Sequence, residues 1–160
     1  MTINSANRSG LFLIKNPRQA WLLAILPLFG AVLLDQGLKN LYQAVVINEN
    51  IAWSIPWLPD SSSFRTLIIL FIIGGLILMA YRQLSTRWKS STAVLYGLLI
   101  GAAISNWLDR VFLGGVRDIW LLPKLQVVNN PADWLLVLSV TGLILIEIFE
   151  ALKAFKSAEK

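Results

Sequence analysis

The sequence predicts an all-α membrane protein: four transmembrane helices, both termini cytoplasmic, and a small extracytoplasmic element containing β-structure. Three observations predict it. Of 160 residues, 56% are hydrophobic and only 14% charged, with mean hydropathy +0.66. A soluble domain carries about 25% charged residues, so this chain lacks the charge to cover a soluble surface. Four apolar blocks approach the roughly 17–25 residues that a spanning helix needs. Lys and Arg are distributed unevenly among the segments between those blocks.

The length suits one integral membrane domain covering 1–160. Residues 1–18 are polar, and no small-residue cleavage site follows the first apolar block, so that block is expected to be a retained span rather than a cleaved signal peptide. Span one covers about 20–42 and carries no charge between Trp21 and Asp35. Span two covers about 64–82, uncharged between Arg65 and Arg82, whose side chains can snorkel to headgroups. Span three covers about 90–110, uncharged from Ser90 to Leu108. Span four covers about 132–152 and meets Glu147 and Glu150 near its end, where Glu150 and Lys153 stand at i,i+3. No internal repeat or low-complexity tract interrupts this order.

Basic residues orient the spans. The N-terminal tail has Arg8, Lys15 and Arg18; the middle connector has Arg82, Arg87 and Lys89; the C-terminal tail has Lys153, Lys156 and Lys160. Gln43 to Ser63 holds no Lys or Arg, so it and the segment 110–131 are expected to face outward, even though the latter carries Arg110, Arg117 and Lys124. The formal charge of +5 therefore reads as membrane topology, with no nucleic-acid partner implied. The first outer segment mixes β-branched residues, tryptophans and prolines, which suits a short strand pair followed by an interfacial stretch at Trp53 and Trp57, or a plain connecting loop.

The absence of His and Cys removes disulfide scaffolds, thiolate nucleophiles, thiolate or imidazole metal sites and every His-based triad. Carboxylates are what remains for acid–base work. Ionisable groups in or beside spans are functional candidates by default. Asp35 and Lys39 stand at i,i+4 near the outer end of span one, where the plainer reading is a helix-end ion pair with Lys39 snorkelling. Span three ends in GAAISNWLDR, which places Asn106 and Asp109 on one face at i,i+3, beside Arg110. Gly101, Ala102, Ala103 and Ser105 are small enough for another helix to approach closely. The plainer alternative is a polar helix end satisfied by its neighbours.

Asp118 follows span three and Asp133 opens span four, so consecutive antiparallel spans bring them to one membrane depth. Singly, each has a plain reading. Asp133 complements a helix dipole behind Asn130 as N-cap and Pro131, and Asp118 is a loop aspartate paired with Arg117 or Arg110. Together they are the most capable acid–base pair this chain can build. Two close carboxylates do not both ionise cheaply, so they share one proton. One can take a proton from water that attacks a peptide carbonyl; the other can polarise that carbonyl and protonate the leaving amine. This chemistry needs no metal, no cofactor and no covalent intermediate.

At these residues the chain resembles the lipoprotein signal peptidase family, the signal peptidase II aspartyl peptidases. DQGLK (Asp35 to Lys39) is similar to the family's D-Q-x-x-K, and NENIAWS (Asn48 to Ser54) to N-x-G-A-A-F-S. GAAISNWLDRVFLGGVRDIW (Gly101 to Trp120) resembles G-G-A-x-G-N-x-x-D-R-x-x-x-G-x-V-x-D-F, and NNPAD (Asn129 to Asp133) resembles F-N-x-A-D. Four short motifs in the family's order are specific where each alone is weak. The resemblance implies a catalytic pair at Asp118 and Asp133. It implies supporting or substrate-binding roles for Asn106, Asp109, Arg110, Asn130, Asp35 and Asn48, with Arg110 holding substrate carbonyls.

The resemblance further implies an endopeptidase of the cytoplasmic (inner) membrane, with its active site at the extracytoplasmic face. Its substrate is a prolipoprotein cut before a diacylglyceryl-modified cysteine. The apolar composition fits a substrate that reaches the site laterally from the bilayer, among membrane lipids. Four spans allow a working monomer. The chain departs from the family at Asn50, Ala102 and Ser105, each replacing a glycine, at Ile119 for an aromatic and at Asn129 for Phe, and its Asp118-to-Asp133 interval is short. These departures motivate a second reading, a non-catalytic membrane paralogue that binds lipoprotein precursors or other membrane helices. A proton-coupled carrier is a third, disfavoured because the acids collect at one face and none marks the middle of spans two or three.

Overall fold

The computed structural model describes residues 17–49, 62–86, 89–124 and 127–159. The readings placed on Arg8, Lys15, Asn50, Trp53, Trp57, Arg87 and Lys160 lie outside those residues. The element order is α1 (Pro17–Leu41), β1 (Val46–Asn48), α2 (Ser62–Thr86), α3 (Ser90–Leu113), β2 (Val116–Asp118), β3 (Trp120–Leu122), β4 (Val127–Asn129) and α4 (Pro131–Ala158). All four helices are long and apolar enough to cross a membrane. Spans two, three and four fall inside α2, α3 and α4, and span one runs one residue past the end of α1.

Three helices outrun their expected ends. α2 continues to Thr86 because Leu84, only 1% exposed, packs with Ala20, Ala24 and Ala93 of α1 and α3. α4 continues to Ala158 through the good helix formers of EALKAFKSA, with Glu150 held by Lys89 at 2.6 Å. α3 reaches Leu113 and stops at Gly114, whose φ of +78° suits glycine and whose N–H caps the Arg110 carbonyl.

α3 is the central helix, packed against α1, α2 and α4. More than half of its apolar window is buried, against at most 17% for any other helix. Small residues make the close approach possible. A Cβ on Gly97 would overlap the Ala24 carbonyl of α1, and one on Gly101 would overlap the Leu28 carbonyl. A second cluster of Ala80, Tyr96, Leu99 and Ile100 joins α2 and α3, with Leu136 and Leu143 of α4 against it. Large apolar side chains such as Leu26, Leu33, Phe71 and Phe149 point outward. That arrangement suits hydrocarbon as the solvent, since the helical backbone already satisfies its own polar groups.

The strands form two antiparallel pairs at the end of the bundle where α1 and α3 finish and α4 begins. β1 pairs with β2 in the register Val46↔Asp118, Ile47↔Arg117 and Asn48↔Val116. β3 pairs with β4, with Trp120 opposite Asn129. The rest of the strand pair expected within 43–63 falls on residues 50–61, outside the described residues, and β1 takes its partner from the second outer segment. Gly115 allows this, because a Cβ there would crowd Ile47 and the Asn48 backbone. The two pairs are linked at Asp118 and Ile119. The Asp118 carbonyl accepts from Val45 N–H at 2.8 Å, and Ile119 N–H donates to the Asn129 carbonyl at 3.1 Å.

Candidate active site

The strand ladders carry Asp118 to the start of α4. Asp118 ends β2 and is 1% exposed. Its Oδ1 accepts from Asn130 Nδ2 at 2.7 Å and its Oδ2 from Asn48 Nδ2 at 3.1 Å. The expectation that it pairs with Arg117 or Arg110 is corrected: two asparagine amides hold it. Arg110 stands within Coulombic range of both Asp118 and Asp133, but its Nη1 donates to the Glu49 carbonyl at 3.2 Å. Arg65 of α2 donates to that same carbonyl at 2.9 Å.

Asp133 is the third residue of α4 and is half-buried. Asn130 is the N-cap of α4, and its side chain accepts from Asp133 N–H at 3.1 Å. Asp133 Oδ2 accepts in return from Asn130 N–H at 3.2 Å, closing a reciprocal capping box. Asp133 Oδ1 accepts from Asn106 Nδ2 at 3.0 Å. Asn130 therefore touches both carboxylates, one through its side chain and one through its backbone. This residue sets their relative position.

Below this pair lies a buried ionic network. The Lys39 side chain is wholly buried, which corrects the expectation that it snorkels: the acids around it satisfy its charge inside the bundle. Its ammonium meets Asp35 Oδ2 at 2.7 Å, Asp109 Oδ2 at 3.1 Å and Asn106 Oδ1 at 2.9 Å, which uses all three of its donors. By occupying Asn106 Oδ1, Lys39 turns the Asn106 amide nitrogen toward Asp133. Asp35 also accepts from Ser105 Oγ at 2.7 Å and from Ala132 N–H at 2.9 Å. The second bond satisfies an orphan donor in the first turn of α4 and places a negative charge at its positive end.

Asn106 and Asp109 share a helical face but serve different partners. Asp109 makes its hydrogen bonds and ion pairs with Lys39, Gln36 and Arg117 and none with Asp118 or Asp133. It accepts from Gln36 Nε2 at 3.0 Å, from Arg117 Nη2 at 2.9 Å and from Arg117 N–H at 3.0 Å. Arg117 also donates to Gln36 Oε1 at 2.7 Å and to Asn40 Oδ1 at 2.6 Å. It thus ties β2 to α1 and α3 one residue before Asp118. Sequence reasoning assigned no site role to Lys39, Gln36, Ser105 or Arg117. The signal for the first two was present, since Asp35, Gln36 and Lys39 sit in one polar helical turn of an apolar span.

Asp35, Asp109 and Asp118 are all buried, and Asp133 is the acid of this group with a partly open side chain. Such a pair, with fixed amide donors on both carboxylates, is suited to moving protons at a carbonyl group. Among the described residues no group of three or more acids is placed to hold a metal ion.

Comparisons with known proteins agree with this architecture. The family described as signal peptidase (SPase) II matches residues 28–149, a stretch that holds every residue of the network above. A lipoprotein signal peptidase of Xanthomonas campestris pv. campestris is 31% identical over 146 residues, covering 87% of this chain and 84% of its own. One from Leifsonia xyli subsp. xyli is 36% identical over 107 residues, covering 63% and 46%. A solved bacterial membrane enzyme shares the fold with a TM-score of 0.63 at 21% identity, over 80% of this chain and 88% of that one.

Proposed function

This chain belongs to the signal peptidase II family, and on that premise we propose that it is an aspartic endopeptidase of lipoprotein maturation. Its substrates are prolipoproteins, and it cuts just before their diacylglyceryl-modified cysteine. The observation that carries this reading is the coupling of Asp118 and Asp133 through Asn130.

Asp118 and Asp133 act as one acid–base pair that holds a single proton between them. The ionised member takes a proton from water as the water oxygen bonds to the scissile carbonyl carbon. The protonated member donates to the carbonyl oxygen as it gains negative charge. Collapse of the tetrahedral intermediate breaks the C–N bond, and the pair returns a proton to the leaving amine. Asn130, Asn106 and Asn48 hold the carboxylates in place through the whole cycle. Arg110 lies beside the pair with several fixed donors, which supports a role in gripping substrate carbonyls.

The basic tails and connector support cytoplasmic termini in a multi-pass protein of the cytoplasmic membrane, with this site at the outer face. A single polypeptide contains the whole network and can work as a monomer.

The test is cleavage of a lipidated prolipoprotein by the purified protein beside Asp118→Asn and Asp133→Asn. Each substitution should lower kcat by about 10²–10⁴-fold with substrate binding kept. Cleavage that survives both would sink the dyad. Tight binding with no cleavage by the unaltered protein would point instead to a non-catalytic binder of lipoprotein precursors.

A further inference from the structure

Away from this site, α2 and α4 form the walls of an apolar groove of about 400 Å³, with α3 as its floor. That volume is typical of ligand clefts, which span roughly 300–1,000 Å³. Leu76 lines one wall, Leu143, Ile144 and Ile148 the other, and Tyr96 the floor. One charged group lines it: Glu147 of α4. Its carboxylate accepts from Gln83 of α2 at 2.9 Å, a neutral partner. One turn further on, Glu150 has a cation, Lys89, at 2.6 Å. Among the described residues Glu147 has none. A carboxylate on an otherwise apolar membrane surface is costly, and so is a functional candidate in its own right.

Position says what the groove fits. Glu147 lies fourteen residues after Asp133, about 21 Å along α4 at 1.5 Å per residue. Fourteen residues is close to four helical turns, so both acids lie near one face of the helix. The α4 wall of the groove extends back to Val140, about two turns from Asp133. Signal peptides have a basic n-region on the cytoplasmic side and an apolar h-region of about 7–15 residues. As a helix, the longer of these h-regions spans about 21 Å.

We propose that the α2–α4 groove docks the h-region of the substrate's signal peptide and that Glu147 receives a Lys or Arg of its n-region. This rests on the peptidase reading above and deepens it. It makes Glu147 a specificity residue far from the scissile bond. Charge complementarity selects a cationic helix end over an uncharged one, and the matched span places that end at Glu147.

The experiment measures cleavage in vesicles of three lipidated prolipoproteins that differ only in an n-region of Lys, of Gln or of Glu. The unaltered protein should prefer the basic substrate about five-fold in kcat/KM, through KM, the scale of one solvated charge pair. Glu147→Gln should abolish that preference with kcat unchanged. Glu147→Lys should prefer an n-region of Glu, which also shows that the variant folds. Glu150→Gln, with the same loss of charge one turn away, should keep the native preference.

A preference that persists in Glu147→Gln overturns the proposal, as does an equal loss in Glu150→Gln. An effect that follows the phosphatidylethanolamine content of the vesicles and ignores the n-region overturns it in favour of a lipid amine. If the unaltered protein cleaves the substrates without discriminating between them, this inference fails alone. If it cleaves none, the peptidase reading fails and takes this inference with it.

Discussion

Asn130 Nδ2 lies 2.7 Å from Asp118 Oδ1, so the residue that caps α4 also holds a carboxylate from another element. The two roles of Asn130 can be separated. Asn130→Ser keeps a good helix cap but removes the amide donor. A hydrogen bond to a charged group is worth about 1.5–3 kcal/mol, so unfolding in detergent should lose about that much through Asp118 and little through the cap. Asn130→Ala, which loses cap and amide together, should be less stable again by about 1 kcal/mol. With Asp118 no longer held, kcat for prolipoprotein cleavage should fall alike in both variants, and equal stability of the two would refute this separation.

Lys39 bridges two buried acids, and Arg117 also meets one of them, Asp109. Lys39→Met should destabilise the protein by about 3–5 kcal/mol, because Asp35 would keep a buried charge without a counterion. The double variant Asp35→Asn, Lys39→Met should recover much of that loss, since Asp109 keeps Arg117 and position 35 no longer carries a charge. Chemical unfolding of the two variants in matched detergent checks the order.

Helix contact depends on where a glycine stands. Gly101→Val would drive a side chain into the Leu28 backbone, whereas Gly74 has open space around it. Gly101→Val should cost at least about 1–3 kcal/mol, and Gly74→Val should leave the melting temperature close to native. Because α1 brings Asp35 and Lys39 to the site, Gly101→Val should also lower cleavage in the protein that remains folded.

Arg117 straps β2 to α1 through Gln36 and Asn40 while holding Asp109. Arg117→Lys keeps the charge but loses the planar fork of donors. Substrate KM should stay near native while kcat falls several-fold, because the residue after it is Asp118. A change in KM alone would place Arg117 at the substrate instead.

The covalent order of the residues already decided a good deal. Lengths of apolar sequence marked all four helices, because a hydrocarbon slab imposes one length on any helix that crosses it. The polar residues at their ends were legible too, from Asp35 to Asp133, since a charge amid apolar sequence stands out. Partners were not legible. Asp35–Lys39 reads as a helix-end ion pair at i,i+4 with Lys39 snorkelling, and it is buried because α3 and α4 bring Asp109, Asn106 and Ala132 around it. Asn106 and Asp109 share a face by periodicity, yet one serves Asp133 and the other Arg117.

Similarly, β1 has the composition of a strand, but its partner is far along the chain, with Val46 opposite Asp118. Local sequence sets hydropathy, helix ends and caps, since these depend on neighbours within a few residues. Which carboxylate receives which amide depends on how closely α1 and α3 approach through Gly97 and Gly101 and on the register of two short ladders. Those are distances between elements far apart in the chain, and hydrogen bonds are decided at a scale of tenths of an ångström.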